Sequence, residues 1–285
     1  MASHVPSPLP RVERFDPAGQ LLAALGLGAV VAALVESSGQ GWTIVIVSVL
    51  VFGMGLLSAF AFVERARERR GRPVMLPPSL VAPVQMRAAL AAAGIYNFSL
   101  YGMLIAFSIA FQYQRHYSPL QAGLAFLPLT VVGAFTSAVV AGRLVVRFGT
   151  RPILGAGMAC SAAGSVILAF YGPQAGYWLA AAGFAVFGAG TGLSAPAMTA
   201  AVLDTAPAER ASRASGALNA ARQLGGVVGV ALLGSITASD PARLPVALAV
   251  AAAAFALGAA VSLRSGGRTC RPPLCPRGTC RPCGQ

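Results

Sequence analysis

The sequence predicts an all-α integral membrane protein that crosses the bilayer eight times. Three observations carry this. The 285 residues are 56% hydrophobic and only 10% charged, where soluble domains average about a quarter charged. The charges leave long gaps: residues 17–35, 37–63, 88–114, 116–142, 152–203 and 244–263 contain no Asp, Glu, Arg or Lys. The basic residues, all of them Arg, fall into a few short segments between the gaps. A bilayer core takes roughly 20 apolar residues per helix, and a charge at its centre costs several kcal/mol. A mean hydropathy of +0.71 argues against a soluble globular enzyme and against disorder across the bulk of the chain.

The spans follow in order as about 18–35, 42–63, 88–112, 119–142, 152–171, 177–200, 214–237 and 243–263. The run 152–203 holds two of them, separated by a turn at Tyr171–Gly176 that contains Gly172 and Pro173. Strands are excluded by the length of the runs and by their Ala, Leu and Gly content. Asp16–Pro17 supplies an N-cap and a first-turn Pro to the first span. Ser118–Pro119–Leu120–Gln121 repeats the device before the fourth, with Ser118 and Gln121 placed for a capping box. Pro128 falls inside the fourth span and Pro196 inside the sixth, where each removes a backbone hydrogen bond and kinks the helix. Gly188 with Gly192, and Gly225 with Gly229, have the small-residue spacing that lets helices approach closely, which reads first as packing.

Alternate connections divide the Arg residues unequally. Eighteen of the 21 fall on one side, Arg115 and Arg243 on the other, and Arg222 lies within a span. The positive-inside rule then places both termini in the cytoplasm of a cell membrane. Trp42, Tyr113, Tyr117, Tyr171, Tyr177 and Trp178 gather at the opposite boundary, where amphipathic rings favour the interface.

Polar residues within the spans form two groups. Asn97, Tyr101, Ser108 and Gln112 share one face of the third span. That face reads either as a wall of a substrate pathway or as hydrogen bonding between helices. Asn219, Arg222 and Gln223 cluster in the seventh span, where Arg222 either snorkels to the cytoplasmic interface or points into a cavity open to that side. The eight acids all sit in connections or at helix edges, so no intramembrane carboxylate is expected. The two His, His4 and His116, lie outside the spans, and no catalytic constellation is present. Cys270, Cys275, Cys280 and Cys283 crowd the terminal segment. The Cys280–Cys283 spacing suits a metal. The segment is short, Pro-rich and without a core, so it is read as a disordered tail with no metal site and no cofactor.

Four stretches resemble a known family. They are Arg14-Phe15-Asp16-Pro17-Ala18-Gly19, Tyr117-Ser118-Pro119-Leu120-Gln121-Ala122-Gly123, the loop Gly142-Arg143-Leu144-Val145-Val146-Arg147-Phe148-Gly149-Thr150-Arg151, and Glu209-Arg210 followed by Ser215-Gly216, Asn219 and Arg222-Gln223-Leu224-Gly225-Gly226. Together they resemble the C-terminal part of a major facilitator superfamily transporter of the fourteen-helix drug:proton antiporter branch. The resemblance implies a cytoplasmic segment (1–17), two linker helices (18–63), a basic cytoplasmic loop (64–87), a six-helix half bundle (88–263) and the tail (264–285). It implies a cytoplasmic gating loop at Gly142, Arg147, Gly149 and Arg151, although Val146 stands where the family's loop carries Asp and Thr150 where it carries a basic residue.

The implied function is efflux of amphipathic small molecules, with the third-span face as the pathway. A substrate site between two bundles needs a second six-helix bundle, here expected from another chain or another copy. The alternative is a truncated or accessory membrane protein that transports nothing. Nucleic acid is not an expected partner, because the Arg residues occupy short loops between apolar spans. The expected partners are the lipid bilayer and a small amphipathic substrate.

Overall fold

The computed structural model describes residues 17–40, 43–71, 74, 77–172 and 175–264. Among them there are helices and connections but no strand, and eight helical spans are long and apolar enough to cross a membrane. The Asp16 cap, the resemblance residues Arg14 and Phe15, Trp42, Pro173 and the four tail cysteines lie outside the described residues.

The first two spans are α1 (Pro17–Gln40) and α2 (Ile44–Arg69). They pack on each other as a hairpin, and α1 lies against the penultimate span. Both helices outrun their apolar cores. Glu36 therefore falls within α1, and Glu64 and Glu68 within α2, rather than beyond the helix edges, and Glu64 is buried. Backbone pairing continues without lipid, and Arg67 and Arg69 in the last turn suit the negative end of the helix dipole. A short helix, α3 (Pro78–Val81), follows in the connection.

The remaining elements form one bundle. They are α4 (Val84–Gln114), α5 (Pro119–Leu124), α6 (Leu127–Phe135), a π-helical segment (Thr136–Ala141), α7 (Gly142–Phe148), α8 (Thr150–Ala169), α9 (Tyr177–Thr205), α10 (Ala211–Ser239) and α11 (Leu244–Arg264). The most extensive pairings are α4 with α10, α8 with α9, and α8 with α11. Phe107, Phe184, Phe187, Phe255, Met158 and Leu168 are fully buried between them.

Glycine sets two helix pairings, α4 with α10 and α6 with α9. A Cβ on Gly225 or Gly229 would run into the backbone carbonyls of Gly94 and Phe98 on α4. One on Gly188 or Gly192 would run into those of Leu129 and Gly133 on α6. Both pairs thus serve close helix packing.

The fourth span differs from the single kinked helix expected over 119–142. The capping box forms, Gln121 N–H to Ser118 Oγ at 3.3 Å and Ser118 N–H to Gln121 Oε1 at 2.9 Å. The helix then stops at Leu124, and Pro128 stands in the first turn of a new one. At a helix start the N–H that Pro lacks has no partner to lose. Pro196 does lie within continuous helix, in α9.

Candidate functional site

The polar face of α4 does not form a uniform wall. Asn97 is 2% exposed, and its Oδ1 has no hydrogen-bond partner. Tyr101, one turn on, is 44% exposed. Its ring lies over α10, so that a Cβ on Gly226 would come within 3.0 Å of it. Ser108 and Gln112 satisfy each other: Gln112 Nε2 donates to Ser108 Oγ at 2.9 Å and to Ser108 O at 3.1 Å. Of the four, Asn97 and Tyr101 are left to meet something outside α4.

Arg222 approaches the same stretch of α4 from α10. It stands eleven residues into the helix, about three turns, because α10 begins at Ala211 and not at 214. It is half-buried and within electrostatic reach of Tyr96, as is Tyr101. Tyr96 thus links the two groups read separately from the sequence, Asn97 with Tyr101 on α4 and Arg222 on α10, along the α4–α10 seam. Asn219 and Gln223 take no part. They point outward on the exposed side of α10.

Tyr96 was missed by the sequence reading. It is buried, its hydroxyl donates to Thr191 O of α9 at 3.4 Å, and its ring meets Phe255 of α11 edge-on at 6.3 Å. It ties three helices together beside Asn97. Nothing in its own span distinguishes it from the other aromatic residues, because its partners lie 95 and 159 positions away.

The Arg-rich end of the bundle carries the loop after α7. Gly149 there has φ +93°, a conformation that L side chains rarely adopt, so its glycine is needed for the turn between α7 and α8. Arg147 lies over the ring of Phe148 at 5.2 Å, and Gly142 faces open space. Arg151 lines a shallow cleft with Gln85, Thr205 and Ser262, well away from Asn97 and Tyr101. At the same end Glu68 of α2 accepts hydrogen bonds from the Ser79 N–H at 3.2 Å and from the Ser79 hydroxyl. Arg210 donates to that hydroxyl oxygen at 3.1 Å. The hairpin connection is thereby fastened to the start of α10.

The opposite end is closed by aromatic rings. Phe107, Phe111, Tyr117, Phe126, Tyr171 and Phe184 contact one another with centroids 4.9–6.2 Å apart. Arg115 completes the closure. Its guanidinium lies 5.1 Å over the Tyr171 ring and donates to Gly172 O at 3.2 Å and to Ala175 O. Burial pushes the Tyr171 phenol above its ordinary pKa, and the neighbouring guanidinium partly opposes the shift. The sequence showed Arg115 only as one of two Arg residues on the sparse side.

Eight helices long and apolar enough to cross a membrane, packed through glycine, define a multi-pass helical membrane protein. Comparison with known proteins makes this specific. Residues 17–230 match the family model described as Major Facilitator Superfamily, and the chain belongs to that family. It is 33% identical over 226 residues to the methylenomycin A resistance protein of Streptomyces coelicolor, covering 79% of this chain and 47% of that protein. It is 34% identical over 230 residues to the multidrug resistance protein Stp of Mycobacterium tuberculosis, covering 80% and 42%. It is 34% identical over 234 residues to the puromycin resistance protein pur8 of Streptomyces alboniger, covering 80% and 45%. The chain thus spans less than half the length of these relatives.

Proposed function

We propose that the chain is the two-helix linker and C-terminal six-helix half of a drug-efflux transporter of the fourteen-helix, proton-antiporter type, exporting amphipathic small molecules. Both termini are cytoplasmic, so the Arg-rich end faces inward. The six-helix unit works by rocking against a second six-helix bundle, with the substrate held between them.

The observation that supports this best is the polar group on the α4–α10 seam, where Asn97 Oδ1 is buried without a donor, Tyr101 lies over Gly226, and Arg222 acts on Tyr96. A buried acceptor without a donor and a cation at membrane depth are costly unless a ligand, water or a partner engages them. Ser108 and Gln112 continue the pathway toward the aromatic end, and Gly142, Arg147, Gly149 and Arg151 form the inner gating loop. Pro196, inside α9, marks where the sixth span yields. The relatives' names, all of resistance proteins, agree with efflux.

The test is efflux from cells whose resistance depends on this chain. Asn97→Ala combined with Gln112→Ala should lower efflux while the amount of protein in the membrane is unchanged. Unaltered efflux would remove the pathway assignment.

A further inference from the structure

We infer that the lipid-facing stripe of α2 ends in a binding site for an anionic phospholipid, its acyl chains against Val51 and Phe62 and its phosphate between Arg65 and Arg69. The inference does not rest on the efflux reading.

Three observations carry it. First, two guanidinium groups stand on the stripe itself. Exposed positions of α2 recur at the helical repeat from Ile44 through Val51, Ser58 and Phe62 to Arg65 and Arg69. The two Arg residues therefore continue the apolar face that lipid covers. Second, the acids of the same turns face elsewhere. Glu64 is buried. Glu68 lies three residues past Arg65, within its reach along the helix, yet both of its carboxylate oxygens accept from the Ser79 N–H and one also accepts from the Ser79 hydroxyl. Arg65 and Arg69 have no acid partner among the described residues. Like charges one turn apart repel, so the pair favours an anion between them. Third, their depth is that of lipid phosphate. From Ile44 to Arg65 the helix rises about 32 Å, against a hydrocarbon core about 30 Å thick. Arg69 lies about 6 Å further, within the headgroup layer.

The chemistry selects the lipid. Each guanidinium presents a planar fork of N–H donors that matches two phosphate oxygens. A zwitterionic headgroup brings a cation of its own toward the pair, whereas an anionic one brings none. The contact that draws Glu68 away from Arg65 also ties α2 to the start of α10, because Arg210 donates to the Ser79 hydroxyl oxygen. The lipid thus sits where the hairpin joins the bundle.

The test is quenching of a single tryptophan by brominated lipid, on the full chain in phosphatidylcholine vesicles. Trp42 and Trp178 are first replaced by Phe. Phe62→Trp then reports lipid beside Arg65, and Ile44→Trp, in a separate chain, reports lipid at the other end of the same stripe, both positions being exposed. Stepwise replacement of phosphatidylcholine by brominated phosphatidylglycerol gives the preference for anionic lipid at each reporter. It should be at least about fivefold for Phe62→Trp, the factor that one Arg contributes near an anionic surface. Ile44→Trp should show no preference. Arg65→Gln with Arg69→Gln should abolish the preference read by Phe62→Trp. Arg87→Gln with Arg264→Gln removes the same charge from exposed positions of other helices at that end, and should leave it unchanged. Equal preference at the two reporters, or a preference that survives Arg65→Gln with Arg69→Gln, overturns the site. So does an equal loss with Arg87→Gln and Arg264→Gln, which would mean that the charge of the whole end draws the lipid. If the Arg65→Gln with Arg69→Gln chain does not insert, the two reporters in chains with every Arg intact decide. No measurement needs substrate, so loss of the lipid site would leave the efflux reading standing.

Discussion

Two helices leave most of their surface uncovered, and the chemistry they expose is opposite. Only 11% of the apolar window of α2 is buried, against 56% for α9 at the bundle centre. The uncovered face of α2 carries Ile44, Val45, Val51, Phe52, Met54 and Phe62, and its exposed Ser48 and Ser58 donate back to the carbonyls of Ile44 and Met54, so it suits lipid. The uncovered face of α10 over its first half is Ser212, Ser215, Gly216, Asn219 and Gln223. A lipid tail offers those amides and hydroxyls nothing, so that face belongs against water or another protein. Low burial therefore means two different things in one molecule. In α2 it marks the membrane-facing side. In α10 it marks a side whose amides and hydroxyls suit water or protein better than lipid.

The sharpest way to break the comparison is to enlarge a glycine on each helix. Gly229 of α10 sits against the Phe98 backbone, whereas Gly55 of α2 has nothing within 4 Å. Gly229→Leu should push α4 and α10 apart, at a cost of roughly 3 kcal/mol or more. It should appear as a large fall in Tm, or as loss of the monodisperse peak in detergent. Gly55→Leu should leave both unchanged. Equal effects would mean that α10 is not gripped by α4.

The next largest effect comes from placing a charge on each uncovered face. Phe52→Arg puts a guanidinium into lipid at the middle of α2 and should cost about 2.5 kcal/mol of insertion. Asn219→Arg, on the polar face of α10, should cost about 1 kcal/mol or less. Glycosylation mapping of the inserted fraction reads both. If Asn219→Arg were the worse of the two, the first half of α10 would have to face lipid.

Much of this was legible in the sequence, for definite reasons. Charge-free runs fix spans because lipid penalises charge everywhere along them. The Ser118–Gln121 box and the Gly225–Gly229 pair were legible because a cap is local and a small-residue stripe survives whatever it packs on. What failed was either register or partnership. Thr136-Ser137-Ala138-Val139-Val140-Ala141 has no composition that separates a π turn from an α turn. Pro128 could not show that it begins a helix, because the break depends on where α5 stops. The acids Glu64 and Glu68 were read as beyond the helix because hydropathy reports the end of the apolar core and not the end of backbone pairing. Of the candidate site, the α4 residues were visible as a face. The approach of Arg222 to this stretch depends on how α4 and α10 are aligned, which no local pattern encodes.

The comparison also has a vertical sense, because the bundle is sealed at the aromatic end and loosely packed around α7 at the Arg-rich end. Arg115 tests the seal. Removing its donations to Gly172 and Ala175 with Arg115→Gln should cost about 2 kcal/mol, read as a lower Tm. Arg115→Lys keeps a donor but loses the planar contact with Tyr171 and should recover roughly half. Full recovery would mean that the ring contact contributes nothing.

The smallest effect is expected one residue further on. His116 has φ 55°, and the following Tyr117 N–H closes the end of α4 on Phe111 O at 3.0 Å. A side chain at positive φ meets a steric cost that glycine escapes, although glycine also has more freedom to lose on folding. His116→Gly should therefore change stability by only a few tenths of a kcal/mol, in the stabilising direction. His116→Val, β-branched at the same φ, should destabilise by about 1 kcal/mol. His116 is exposed, so the difference between the two variants measures the backbone alone. Were both to destabilise by as much as Arg115→Gln, the seal would depend on the path of the chain after α4 rather than on the guanidinium and the rings it covers.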